Sequence, residues 1–221
     1  LPLSRALVSI RNSSQGGMME RQYPSHWGYF DGYIKNHHSA PFGFKDDIPN
    51  INRFAARFRV ASSFSNLSLD NFSASTEAGY SGLCRVFLAW SAYEVFLDII
   101  ELNPSNTQEL LNRYDSHSFI LKIRELDAGD RFYKFIYARV NRKHKSELDK
   151  YFQEDDCNPQ YLASAIRHIF AHGTLSANAN DVSPTVVVNI CNILAEYLLK
   201  VMDDEFSRKI ELDKKLEGFG Y

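Results

Sequence analysis

The stretch that opens at Ser75 and is stopped by Asn103-Pro104 constrains this fold more than any other feature. Thr76–Leu102 carries apolar residues at helical spacing with no proline inside it. Leu83, Val86, Phe87, Trp90, Tyr93, Val95, Phe96 and Ile99 give it a broad apolar face, and Ser75 supplies a cap. A helix of that length must bury its face against other elements. A second apolar run, signalled by Ser183-Pro184, passes through Val187, Ile190, Ile193, Leu194, Tyr197, Leu198 and Val201 and continues, more polar, toward Leu216. Arg85, Glu94, Asn189, Asn192 and Glu196 interrupt the two runs, so both read as core helices and no membrane span is expected.

Shorter helices are expected at Thr107–Tyr114, Phe119–Leu126, Arg131–Val140 and Ser146–Phe152. One more is well punctuated. Asn158 caps it, Pro159 takes its first turn and Gly173 stops it, around QYLASAIRHIFAH. The sum is an all-α chain, a bundle of four or more helices over residues 73–221 with short connections. Residues 1–72 read differently. They are rich in aromatics, contain Gly16-Gly17, Pro24, Pro41 and Pro49, and hold no sustained helical period. They read as a loop-rich aromatic extension of the main domain, with short strands or one helix at Ile51–Ala61, packing onto the bundle.

The 221 residues carry a net charge of −2, so nucleic-acid contact would need a local basic patch. Arg131–Lys145 offers one: Arg131, Lys134, Arg139, Arg142, Lys143 and Lys145, with no acidic residue and with Phe132, Tyr133, Phe135 and Tyr137 interleaved. It can hold an RNA backbone and stack on bases, or be the solvated face of an amphipathic helix. The three cysteines, Cys84, Cys157 and Cys191, form no CxxC pair, which fits a reducing, cytoplasmic setting. The stretch Leu1–Ile10 is too short and interrupted for a signal peptide.

The chemistry concentrates in Ile166–Gly173. Arg167 is a permanent cation suited to phosphate oxygens, and His172 can move protons near neutral pH. His168 and His172 share a helix face, whereas Arg167 and His172 diverge by roughly 140° in a regular helix. The long arginine, or a break at Gly173, must close that gap. Such a set can cleave RNA without a metal. A base takes the 2′-hydroxyl proton, a cation steadies the crowded phosphorus, and an acid protonates the leaving oxygen. The structural alternative is a helix C-terminus in which His172 meets the helix dipole and Arg167 makes a salt bridge. His168 and His172 could also chelate a metal as an i, i+4 pair. The Glu of HExxH and a third ligand are missing, so no metal or cofactor is expected.

Arg167-His168-Ile169-Phe170-Ala171-His172 resembles the signature of the HEPN superfamily: an Arg, a polar residue, and a His a few positions later. FLAWSAYEVFLDII, residues 87–100, resembles that family's core helix, with Glu94 as its acidic residue. The resemblance spans roughly residues 75–205. It implies a helical homodimer with two motif copies facing each other. It further implies a metal-independent endoribonuclease of the toxin–antitoxin, defence or RNA-processing kind, or else a non-catalytic dimerisation or nucleotide- or RNA-binding module. By the same resemblance Arg167 would position phosphate, His172 would transfer protons and His168 would orient or assist. Glu94 would orient Arg167 or His172. A nucleotidyltransferase antitoxin partner accompanies some members.

Overall fold

A computed structural model describes residues 22–39, 42–179 and 182–218. The stretch Leu1–Ile10, the Gly16-Gly17 pair and Pro41 lie outside them. Among the described residues the chain is all-α. Its helices are α1 (Trp27–His37), α2 (Ile48–Ser63), α3 (Ala74–Ile99), α4 (Gln108–Leu111), α5 (Ser116–Leu126), α6 (Arg131–Tyr137), α7 (Arg142–Phe152), α8 (Pro159–Ala171) and α9 (Pro184–Gly218).

α3 and α9 form the central pair and share the largest interface. Glycines let them approach. A Cβ at Gly82 would lie 2.7 Å from Val188 Cα, and one at Gly79 would lie 3.0 Å from Pro184 Cβ. The outer rows are buried as well: Leu83, Val86, Trp90, Tyr93 and Phe96 from α3, and Val187, Ile190, Leu194, Tyr197, Leu198 and Val201 from α9. Phe87 departs from the expected buried face and is 37% exposed. By length and composition α9 alone among the described residues could cross a membrane, and 56% of its apolar stretch is buried inside the bundle.

The described part of residues 1–72 holds two helices, α1 and α2, joined and followed by loops. Phe30 and Ile34 of α1, with half-buried Trp27, form one stripe, and Ile51, Phe54, Phe58 and Ala61 of α2 form another. Spacings of three and four put each set on one helix face. The stripes enter the same core as α3 and α9: Phe206 of α9 meets Phe30 at 5.6 Å, Phe44 at 5.1 Å and Phe54 at 5.8 Å between ring centroids. The helix expected at Ile51–Ala61 is part of α2, where the Asp47 side chain accepts from Asn50 N–H and Pro49 lies in the first turn.

Caps explain most of the other boundaries. α3 is capped by Ser73, not Ser75: its hydroxyl accepts from Thr76 N–H at 3.2 Å. Asp127 is buried and accepts from Phe132 and Tyr133 N–H at 2.8 and 3.1 Å, fixing the start of α6. Asn141 caps α7 through His144 N–H, and Asn158 caps α8 through Gln160 N–H.

Candidate functional site

α8 carries the Arg-His…His segment, and two contacts fix where it lies. At its start, fully buried Gln160 accepts from Tyr93 Oη of α3 at 2.9 Å and donates to Thr107 Oγ1 at 2.7 Å and the Pro104 carbonyl at 3.0 Å. At its end, Phe170 meets Phe87 of α3 at 6.5 Å between ring centroids. The two helices are therefore antiparallel. α7 packs on another side of α8, also antiparallel, with His144 opposite Ser164 and Glu147 opposite Asn158.

The C-terminus of α8 is a Schellman turn. Gly173 adopts φ +69°, Thr174 N–H donates to the Ile169 carbonyl at 3.0 Å, and Gly173 N–H to the Phe170 carbonyl at 2.9 Å. A left-handed residue at this point ends the helix and satisfies its last carbonyls. His172 is the capping residue and is exposed at the rim.

The segment's side chains divide between two neighbours. Arg167 turns toward α3, where Nη2 lies 3.5 Å from Glu94 Oε2. Both side chains are partly exposed, at 37% and 42%, so this ion pair is solvent-screened and weak. Of the two residues that Glu94 is expected to orient, Arg167 and His172, it is Arg167 that lies beside it. His168 turns toward α7, stacked on His144 at 5.8 Å with 26° between planes, and His172 meets His168 edge-on at 4.7 Å. The structure thus brings His172 to His168 and Arg167 to Glu94. Arg167 and His172 flank His168 instead of meeting each other.

His144 is the residue that sequence reasoning passed over. It is 9% exposed, and both ring nitrogens are engaged: Nδ1 lies 3.0 Å from Asn141 Oδ1 and Nε2 lies 2.9 Å from Ser164 Oγ. An amide oxygen only accepts, so Nδ1 carries the proton and Nε2 accepts from the serine hydroxyl. Burial, then the neighbouring His168 and Lys143, push the His144 imidazole down to about 4. Burial also lowers His168, with His172 and Arg167 adding to it. The row therefore runs from a sheltered, neutral ring at His144 to an exposed ring at His172. Among the described residues no group of three His, Cys, Asp or Glu is arranged to hold a metal ion.

The basic stretch is not one surface. Lys134 donates to the Gly129 carbonyl at 3.0 Å, and Arg131 to the Ala128 carbonyl at 3.4 Å, both at the start of α6. Arg139 stacks on Phe135 at 3.7 Å and Lys145 on Tyr137 at 5.1 Å. Lys143 reaches Ser105 Oγ at 3.0 Å and the Tyr161 ring at 5.6 Å. Arg142 is exposed at the first position of α7. Phe132 and Tyr133 are fully buried, so the expectation that they stack on bases is corrected: their positions face the core, not solvent. Lys143, beside His144, connects this stretch to the α8 site, whereas Arg131 and Lys134 bind carbonyls at the start of α6.

The cysteines form no disulfide; burial pushes the Cys157 thiol up to about 12, which makes it inert near neutral pH. Comparison with protein-family models, curated proteins and solved structures finds no match to this chain.

Proposed function

We propose that this chain is a HEPN-like, metal-independent endoribonuclease that acts as a homodimer in the cytoplasm, with RNA as substrate and an antitoxin as a further partner. The observation that carries the reading is the cluster at the end of α8: Arg167 held beside Glu94, and His168 edge-on to an exposed His172. Arg167 would hold the phosphate, His172 would transfer a proton, and His168 would assist. Glu94 would keep the guanidinium in place until phosphate oxygens take over, which the screened pair permits. Arg142, Lys143 and Lys145 would steer the strand from the α7 side.

A second reading has its own support. Glu94 already pairs with Arg167, and His172 already serves as a helix cap. On that view the chain is a non-catalytic dimerisation or nucleotide- or RNA-binding module.

One assay separates them. The purified protein is incubated, with chelator present, with mixed single-stranded RNAs, and the fragment ends are analysed. The enzyme reading expects 2′,3′-cyclic phosphate ends, with His172→Ala and Arg167→Ala each lowering the rate at least a hundredfold. Cleavage indifferent to His172→Ala rejects the assignment. RNA binding without cleavage favours the module.

A further inference from the structure

Cleavage by this route needs one group that takes a proton from the ribose hydroxyl while another gives one to the leaving oxygen. The ring row supplies an asymmetry between its members. His168 sits between a sheltered neighbour and an exposed one. We infer that His144, pinned between Asn141 and Ser164, is a positioning residue: its ring is the wall that holds His168 against His172, with His168 placed to accept the proton. This rests on the nuclease reading for its chemistry, but not for its structural content.

Every polar group of His144 is accounted for within its own corner. Nδ1–H donates to Asn141 Oδ1, the oxygen that also caps α7 through His144 N–H, so the ring is tied to the start of its own helix. Ser164 donates to Nε2 from α8, one turn before His168. The ring can therefore neither flip nor swing, and its face is offered to His168. The titratable groups around His168 are His144 from α7 and Arg167 and His172 from α8; Lys143 stands beside His144, and Glu94 of α3 faces Arg167. Burial, His172 and Arg167 all disfavour a charged imidazole at His168, so the ring is left unprotonated at neutral pH and free to accept a proton.

The step balances without a co-reactant. His168 takes the 2′-hydroxyl proton as O2′ bonds to phosphorus. The bond to the 5′-oxygen breaks, and protonated His172 gives its proton to that oxygen. The products are a 2′,3′-cyclic phosphate and a 5′-hydroxyl, and solvent resets both rings.

The test is a ¹⁵N NMR titration of the histidine rings in the wild type, His144→Ala, His144→Phe and Ser164→Ala, paired with pH–rate profiles on RNA. The wild type is expected to show a neutral His144 with the proton on Nδ1 at pH 6. His144→Ala, which opens the wall to water, is expected to move the His168 midpoint up toward a free imidazole, and the acid limb of the rate profile by the same amount. His144→Phe retains an apolar wall and leaves the midpoint low. Should His144→Ala not fold, Ser164→Ala carries the test: Nδ1 keeps its proton against Asn141 while the Nε2 end of the ring is released, the His168 midpoint is expected to rise, and an unmoved midpoint overturns the inference. An Nε2-protonated His144 in the wild type, or a His168 midpoint identical in folded wild type and His144→Ala, overturns the inference. A midpoint that moves in a protein that cuts no RNA leaves the positioning role intact and removes the nuclease reading instead.

Discussion

The Ser164 hydroxyl of α8 lies 2.9 Å from Nε2 of His144 on α7, closing a chain that begins at the cap residue Asn141. It makes a buried histidine part of the α7–α8 interface, and gives that interface a pH dependence. The folded imidazole is lowered to about 4, first by burial and then by His168 and Lys143, against about 6.5 in the unfolded chain. Between those values the unfolded chain binds a proton that the folded chain refuses. Stability from this group is complete above about pH 6.5, declines as pH falls toward about 4, and stops changing below that. The span is on the order of 3 kcal/mol. Urea denaturation from pH 4 to 7.5 should show His144→Phe losing less stability on acidification than the wild type.

Glu205 behaves in a related way on the other side of the bundle. It is 2% exposed, accepts from Arg113 Nε at 2.8 Å and Tyr114 Oη at 3.1 Å, and pairs with Arg208. Burial raises its carboxyl, but Arg113 and Arg208 outweigh that and leave it below the usual range. Its contribution is present above about pH 4.3 and is lost as pH falls through the lower folded value. Glu205→Ala should cost about 2–3 kcal/mol at pH 7, since both arginines are partly exposed, and the loss should shrink in acid. Chemical denaturation at pH 7 and pH 3 checks both statements.

Two glycines should respond in opposite directions. Gly82→Ala places a methyl 2.7 Å from the Val188 backbone and should destabilise by about 1–3 kcal/mol by forcing α3 from α9. Gly32, inside α1, has nothing within 4 Å of a built Cβ, so Gly32→Ala should stabilise by about 0.5–1 kcal/mol. Thermal melts of both variants suffice; a stabilised Gly82→Ala would contradict the close approach.

Glu94→Gln separates structure from activity. The ion pair with Arg167 is partly exposed, so the substitution should change stability by less than about 1 kcal/mol. If Glu94 orients the guanidinium for phosphate, RNA cleavage should still fall by about tenfold, in kcat more than in KM. A rate equal to the wild type would leave Glu94 without that role.

Local chemistry was legible in the sequence, and tertiary placement was not. Asn158-Pro159 and Gly173 marked both ends of α8 because a cap, a first-turn proline and a left-handed glycine act within a few residues. α1 carries no such signal, because its N-cap is His26, at φ 64°, with no side-chain cap to announce the helix. The sequence points to Ser75 as the α3 cap, and the contact of Thr76 N–H with the Ser73 hydroxyl moves it two residues. The histidine pair at 168 and 172 could be placed on one face from spacing alone. The turn of Arg167 toward Glu94 depends on the α3–α8 packing. His144 gave no signal, because Lys143-His144-Lys145 reads as charge until Ser164 and His168 are brought to it.

The central pairing of α3 with α9 also governs how the chain leaves the ribosome. Five helices separate α3 from α9 in chain order, so a nascent chain presents the glycine-lined flank of α3 bare until α9 has been synthesised. Translation stalled before Pro184 leaves that flank without its partner, a sticky intermediate of the kind that chaperones hold.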